Sequence, residues 1–158
     1  MALLGVIGFI IVIDQWSKWM IKTSFSLYQS KPVIQDIFHF TYITNDGMAF
    51  GLSLPGGKHV LLVLTILLTG FIIGLLWKEK NSHPLVRYGL ALILSGAVGN
   101  MIDRVLYGKV VDFIDFMVGD FHWYIFNIAD SAVTVGMALF IIHSLVIEKS
   151  KSNIKVSS

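Results

Sequence analysis

The sequence predicts a mainly α, polytopic membrane protein: four transmembrane helices with a small extracytoplasmic β unit at about residues 37–52. Three observations lead there. The 158-residue chain is 55% hydrophobic and only 14% charged, with a mean hydropathy of +0.75; a soluble domain averages about 45–50% and about 25%. Four apolar stretches, 2–22, 59–77, 85–102 and 129–147, each approach the ~20 residues that carry a helix across about 30 Å of hydrocarbon. Between the first two lies a short segment with the periodicity of a strand.

The first stretch lacks a basic leading region and a small-residue cleavage site, so it reads as a retained span rather than a signal peptide. Its end, DQWSK (14–18), places Asp14 and Lys18 one helical turn apart in the favourable acid-first order. A carboxylate in a span costs roughly 2.5–3.5 kcal/mol at mid-bilayer, which calls for an internal partner facing the bundle. Lys18 alternatively snorkels towards the headgroups.

In FHFTYIT (38–44), Phe38, Phe40 and Tyr42 alternate with His39, Thr41 and Ile43. Asn45, Asp46 and Gly47 then form a tight turn signal. The second and third spans carry small residues four apart, Gly70/Gly74 and Ser95/Gly99, which let helices approach closely. The third span ends in SGAVGNMIDR (95–104), where Asn100 and Asp103 share a face and Arg104 follows. A local Asp103–Arg104 contact at the helix end accounts for these residues as well as a function does. Residues 103–128 return the chain to the membrane, and 113–126 read as a loop. The last span opens at FNIADS (126–131), with Asn127 able to cap it and Asp130 on its first turn. Residues 1–148 thus make one integral membrane domain, and 149–158 a basic, disordered tail.

Lys78, Lys80 and Arg87 fall on the same side of the membrane as Lys149, Lys151 and Lys155 by span parity. Dense Lys/Arg marks the cytoplasm, so both termini are expected inside and the two longer connections outside. Trp16, Trp19, Trp77 and Trp123 suit interfacial positions. With no cysteine, disulfides, thiolate metal sites and cysteine nucleophiles are excluded. The net charge of +2 is scattered, so no nucleic-acid surface is expected. There is no HExxH motif and the five histidines are dispersed, so neither metal nor cofactor is expected.

The stretch VDFIDFMVGDFHWYIFNIAD (111–130) holds four aspartates among aromatic residues. Asp115 and Asp120 fall in its most polar part and read as exposed loop acids. Asp112 and Asp130 sit at its apolar ends. Two carboxyl groups at the edge of a low-dielectric site do not both ionise readily, so one is an acid and the other a base near neutral pH. Such a pair can activate water against an amide carbonyl. Ser131, beside Asp130, stays open as a nucleophile on spacing alone.

DQWSK (14–18), NDGMAF (45–50), GAVGNMIDR (96–104), VVDFIDF (110–116) and FNIADS (126–131) occur in an order and spacing that resembles the bacterial lipoprotein signal peptidases (signal peptidase II) over nearly the whole chain. Ser95 departs from the glycine that many relatives have before the Gly-Ala pair. The resemblance implies an intramembrane aspartic endopeptidase with Asp112 and Asp130 as its catalytic pair. It also implies substrate-binding or supporting roles for Asp14, Lys18, Asn45, Gly47, Asn100, Asp103, Arg104 and Asn127. The implied substrate is a diacylglyceryl-modified prolipoprotein, cut just before its lipidated cysteine. The implied setting is the bacterial cytoplasmic membrane, with the site towards the extracytoplasmic face, membrane lipids around it and globomycin-type inhibitors as further ligands. The alternative class is a small proton-coupled carrier or lipid-binding membrane module, in which the same aspartates relay protons.

Overall fold

The computed structural model describes residues 1–46, 57–119 and 121–148. Helix α1 runs over Ala2–Ser24, followed by strands β1 (Ser30–Ile34) and β2 (Phe38–Asn45). Helices α2 (Gly57–Lys78) and α3 (Pro84–Tyr107) form an antiparallel pair. Strands β3 (Val110–Val118) and β4 (Phe121–His122) then lead into α4 (Ile128–Ile142), which continues as a π-helical stretch over His143–Glu148. Among the described residues, four helices are long and apolar enough to cross a membrane: Ala2–Ser24, His59–Lys78, Pro84–Tyr107 and Ile128–Leu145. Gly47, residues 47–52 of the expected β unit, Asp120 and the tail 149–158 lie outside the described residues.

Both boundaries of α3 have a local cause. Pro84 starts α3 at a position where its missing N–H is harmless, and the His83 side chain accepts from the Leu85 amide. Gly108 ends α3 with φ +71°, a left-handed conformation that glycine adopts without strain. Helix α3 is the hub, packed against α1, α2 and α4.

The seam between α3 and α4 depends on glycine. A Cβ added at Gly136 would stand 2.5 Å from the Gly89 carbonyl oxygen, and one at Gly89 would stand 2.8 Å from that of Gly136. One added at Gly96 would collide with the Ala129 carbonyl. Of the small-residue pairs expected to bring helices together, Ser95/Gly99 belongs to this packed face. Ser95 is fully buried, and a Cβ at Gly99 would meet the Asp14 carboxylate. Gly70 and Gly74 face open space. Their helix, α2, turns Thr69 and Ile72 inward instead.

The β unit is larger than its expected 37–52. Its four strands are ordered β1-β2-β3-β4, antiparallel throughout. Val110–Val118, part of which read as loop, is the central partner of β2. Its β-branched residues suit a strand, but the partner lies some seventy residues away in sequence. Pro32 is tolerated because β1 is an edge strand. Ile21 and Phe25 at the end of α1 pack on Val111, Phe113, Phe40 and Tyr42, joining the sheet to the helices.

Substitution to alanine at two helical glycines separates seam from surface. Gly136→Ala is expected to lower stability by about 1–3 kcal/mol, because the obstacle is backbone that must move. Gly74→Ala is expected to be neutral or slightly stabilising. Thermal unfolding in detergent measures both, and equal effects would mean that the seam is not where α3 and α4 are held.

Candidate active site

The site grows from the first turn of α4. The Asn127 side chain accepts from the Asp130 amide at 2.9 Å, and the Asp130 carboxylate accepts from the Asn127 amide at 3.3 Å, a reciprocal cap. Asp14, from the middle of α1, accepts a third amide, that of Ala129, at 2.9 Å. The free N–H groups of a helix start need acceptors, and here side-chain oxygens of Asn127, Asp130 and Asp14 supply them.

Lys18 sets the positions of those groups. Its ammonium lies 2.9 Å from Asp14, 3.2 Å from Asp103 and 3.0 Å from the Asn100 side-chain oxygen. Three donors meet three acceptors, and the side chain is 3% exposed. Gln15 adds bridges to Asp14 (3.0 Å), Asp103 (3.1 Å) and the Gly99 carbonyl (3.1 Å). Asp103 also accepts from the Val111 amide at 3.0 Å, which ties the start of β3 to α3. The local Asp103–Arg104 contact is therefore replaced by a pair between helices. Arg104 points elsewhere, its strongest electrostatic partners being Asp130 and then Asp112.

Asp112 and Asp130 face one network from two elements. Asn127 donates to Asp112 at 2.6 Å and to the Asn100 oxygen at 3.2 Å, while Asn100 donates to Asp130 at 2.7 Å. Asn45, at the end of β2, hydrogen-bonds Asp112 and donates to the Tyr124 hydroxyl at 3.1 Å. Asp112 is 1% exposed. Burial, and next the Asp130 carboxylate, push its pKa up to about 7. Burial and the same two carboxylates raise the Tyr124 hydroxyl above its ordinary value.

Of the residues singled out from sequence, Asp14, Lys18, Asn45, Asn100, Asp103, Arg104, Asp112, Asn127 and Asp130 converge here. Ser131 is committed to its helix, its hydroxyl donating to the Asn127 carbonyl at 2.9 Å. Asp115 is not the exposed acid that its sequence context suggested. It is 0% exposed, because β2 and His122 cover it. Gln15 and Tyr124 are additions; Gln15 had a signal, a polar residue beside Asp14 in a span, whereas Tyr124 had none. Among the described residues, no group of three or more histidine or acidic side chains is placed to hold a metal ion. Beside Asp130 opens a mainly apolar groove of about 870 Å³, walled by Trp123, Tyr124, Phe126 and Val133.

Residues 6–146 match the family model described as signal peptidase (SPase) II. The lipoprotein signal peptidase of Desulforapulum autotrophicum is 44% identical over 138 residues, covering 85% of each chain. That of Shouchella clausii is 43% identical over 137 residues, covering 87% of this chain and 88% of its own. Two solved structures, each described as a bacterial membrane enzyme, superpose closely. One has a TM-score of 0.79 at 34% identity, covering 95% of this chain and 90% of its own; the other has 0.77 at 32%, covering 92% and 93%. With the family model spanning most of the sequence and relatives this similar, the chain belongs to the signal peptidase II family of membrane peptidases.

Proposed function

We propose that this peptidase removes the signal peptide from diacylglyceryl-modified prolipoproteins, cutting just before the lipidated cysteine with water activated between Asp112 and Asp130. The observation that carries the mechanism is the pairing of two carboxyl groups, buried Asp112 of β3 and half-buried Asp130 of α4, through Asn127 and Asn100 at the side of an apolar groove. A proton relay for transport would need a route across the bundle, whereas Asp103, Asp112 and Asp130 lie together where α3 ends, β3 begins and α4 starts.

Asp130 is the base. It lies on the first turn of α4, where the helix dipole favours an anion, and it accepts from Asn100. Asp112 is the acid, since burial beside a second carboxylate favours its neutral form. Asp130 takes a proton from water as the oxygen bonds to the scissile carbonyl carbon. Asp112 polarises the carbonyl oxygen. When the tetrahedral intermediate collapses, the C–N bond breaks and the leaving nitrogen takes a proton from the acid. Asn100 and Asn127 hold the pair, and Arg104 offsets charge that develops beside it. Asp14, Lys18 and Asp103 keep the ends of α1, α3 and α4 in register. The groove takes the apolar signal segment.

The sheet and the carboxyl pair lie at the end of the bundle opposite Lys78, Lys80 and Arg87, which supports an extracytoplasmic site and a cytoplasmic side for both termini.

Asp112→Asn and Asp130→Asn are each expected to lower cleavage of lipidated prolipoprotein by about 10³-fold or more, with thermal unfolding kept near the parent value. Substantial turnover in either variant removes the pair from the mechanism. The acid form of Asp112 is lost as pH rises through its raised pKa of about 7, so kcat/KM should fall on the alkaline side with a limb near neutrality. A profile that stays flat from about pH 6 to about pH 9 would mean that Asp112 is not the acid. The chain has no cysteine of its own, so single introduced cysteines report topology. A membrane-impermeant thiol reagent should label Val118→Cys in intact cells and Lys80→Cys only after permeabilisation; the reverse pattern inverts the orientation.

A further inference from the structure

One buried carboxylate takes no part in the chemistry above. Asp115 lies on β3 close to Asp112 yet meets different partners. The Thr41 hydroxyl of β2 donates to it at 2.6 Å, and His122 Nδ1 lies 3.0 Å from both of its oxygens. The Thr41 oxygen is also 2.8 Å from the Ser30 hydroxyl of β1. One carboxylate thus reaches all four strands of the sheet, directly or through a single hydroxyl. An ionised carboxylate only accepts, so His122 serves it as an Nδ1–H donor.

His122 opens the segment that returns the chain to α4. β4 is only two residues long and exposed, so its own pairing with β3 holds little. The backbone is next tied at Trp123, whose amide donates to the Phe116 carbonyl at 2.8 Å, and at Phe126, whose amide donates to the Ile114 carbonyl at 3.0 Å. Between those ties Tyr124 and Ile125 stand opposite a single β3 residue, Asp115, so the 122–126 segment bows into a short arch held at both ends. This arch carries Trp123, Tyr124 and Phe126, which wall the groove beside Asp130, and its Tyr124 hydroxyl meets Asn45. His122 is the side chain at the foot of the arch, 48% exposed, and its contact with a fully buried carboxylate is the anchor.

We propose that Asp115 is a positioning residue: through His122 it pins the 122–126 arch to the sheet and so shapes the groove wall that receives the substrate. The inference rests on the reading of Asp112 and Asp130 as the reacting pair. Losing the pin leaves that pair in place but makes the substrate order the arch, so the effect falls on KM more than on kcat.

The test uses the full-length enzyme in proteoliposomes with a lipidated prolipoprotein. His122→Ala, which touches only a half-exposed side chain, should raise KM about tenfold or more while kcat stays within about threefold. His122→Asn places an amide donor near the lost Nδ1 and should bring KM back to within about threefold of the parent. Asp115→Asn should raise KM at least as much as His122→Ala. Should that variant fail to fold, the alanine and asparagine variants at position 122 decide alone. In a Trp16→Phe, Trp19→Phe, Trp77→Phe background, Trp123 emission should shift with His122→Ala and recover with His122→Asn. Equal KM values for alanine and asparagine at 122, or a fall in kcat with KM unchanged, overturn the proposal. Asp112→Asn runs in parallel and should abolish kcat; turnover there defeats the mechanism while leaving the KM comparison at 122 to judge the pin.

Discussion

Lys18 is the charge on which the bundle's order depends. A buried ammonium would be prohibitive alone, and so would the carboxylates of Asp14 and Asp103 that face it. Removed from water, each is tolerable only in the presence of the others, which forces α1 and α3 into one relative position. Asp14 extends the constraint to α4 by accepting the Ala129 amide, and Asp103 extends it to β3 by accepting the Val111 amide. Four elements are thus tied together by two acids and one lysine. Apolar packing alone cannot supply this specificity within a membrane, where lipid tails compete equally for a leucine.

Much of this could be read from the sequence, for reasons of length and cost. A span needs about twenty apolar residues, so all four were visible, and their ends moved by only a few residues in the structure. A carboxylate inside a span needs a partner, so Asp14 and Lys18 announced a pair. What stayed hidden depended on partners distant in sequence. Nothing near Val110–Val118 says that Phe38–Asn45 will pair with it, and short apolar runs fit strand and buried loop alike. Asp115 looked solvated because a glycine and another acid follow it; β2 and His122 bury it. Gly70/Gly74 and Gly89/Gly136 carry no label that tells an open face from a closed one. Only the second pair meets a facing backbone.

The sheet also keeps two acids, three residues apart on one strand, in separate environments. The register between β2 and β3 slips between Phe40 and Ile43. Opposite the slip, the amides of Phe113 and Ile114 both donate to the Phe126 carbonyl. Such irregularities re-aim side chains near functional sites. Asp112 is delivered to the amides of Asn127 and Asn45, and Asp115 to a hydroxyl and an imidazole. Neighbours in the chain thereby acquire unlike surroundings.

The charges gathered at the site favour the proposed sharing of one proton by the pair. Asp14, Asp103, Asp112 and Asp130 bring four carboxyl groups, and Lys18 and Arg104 bring two cations. Lys18 makes its ion pairs with Asp14 and Asp103 and also donates to Asn100. Arg104 faces Asp130 and Asp112, two acids that repel each other. Ionising both would bury an uncompensated negative charge, and binding one proton relieves it. In the proposed mechanism Asp130, with the helix terminus and the Asn100 amide on its side, is the anion, and Asp112, whose pKa burial pushes up to about 7, holds the proton. The lysine that orders the bundle thus also bears on the proposed acid: its ion pairs go to Asp14 and Asp103, whose remaining bonds come from Gln15 and the Ala129 and Val111 amides, and it acts on Asp112 only from farther away.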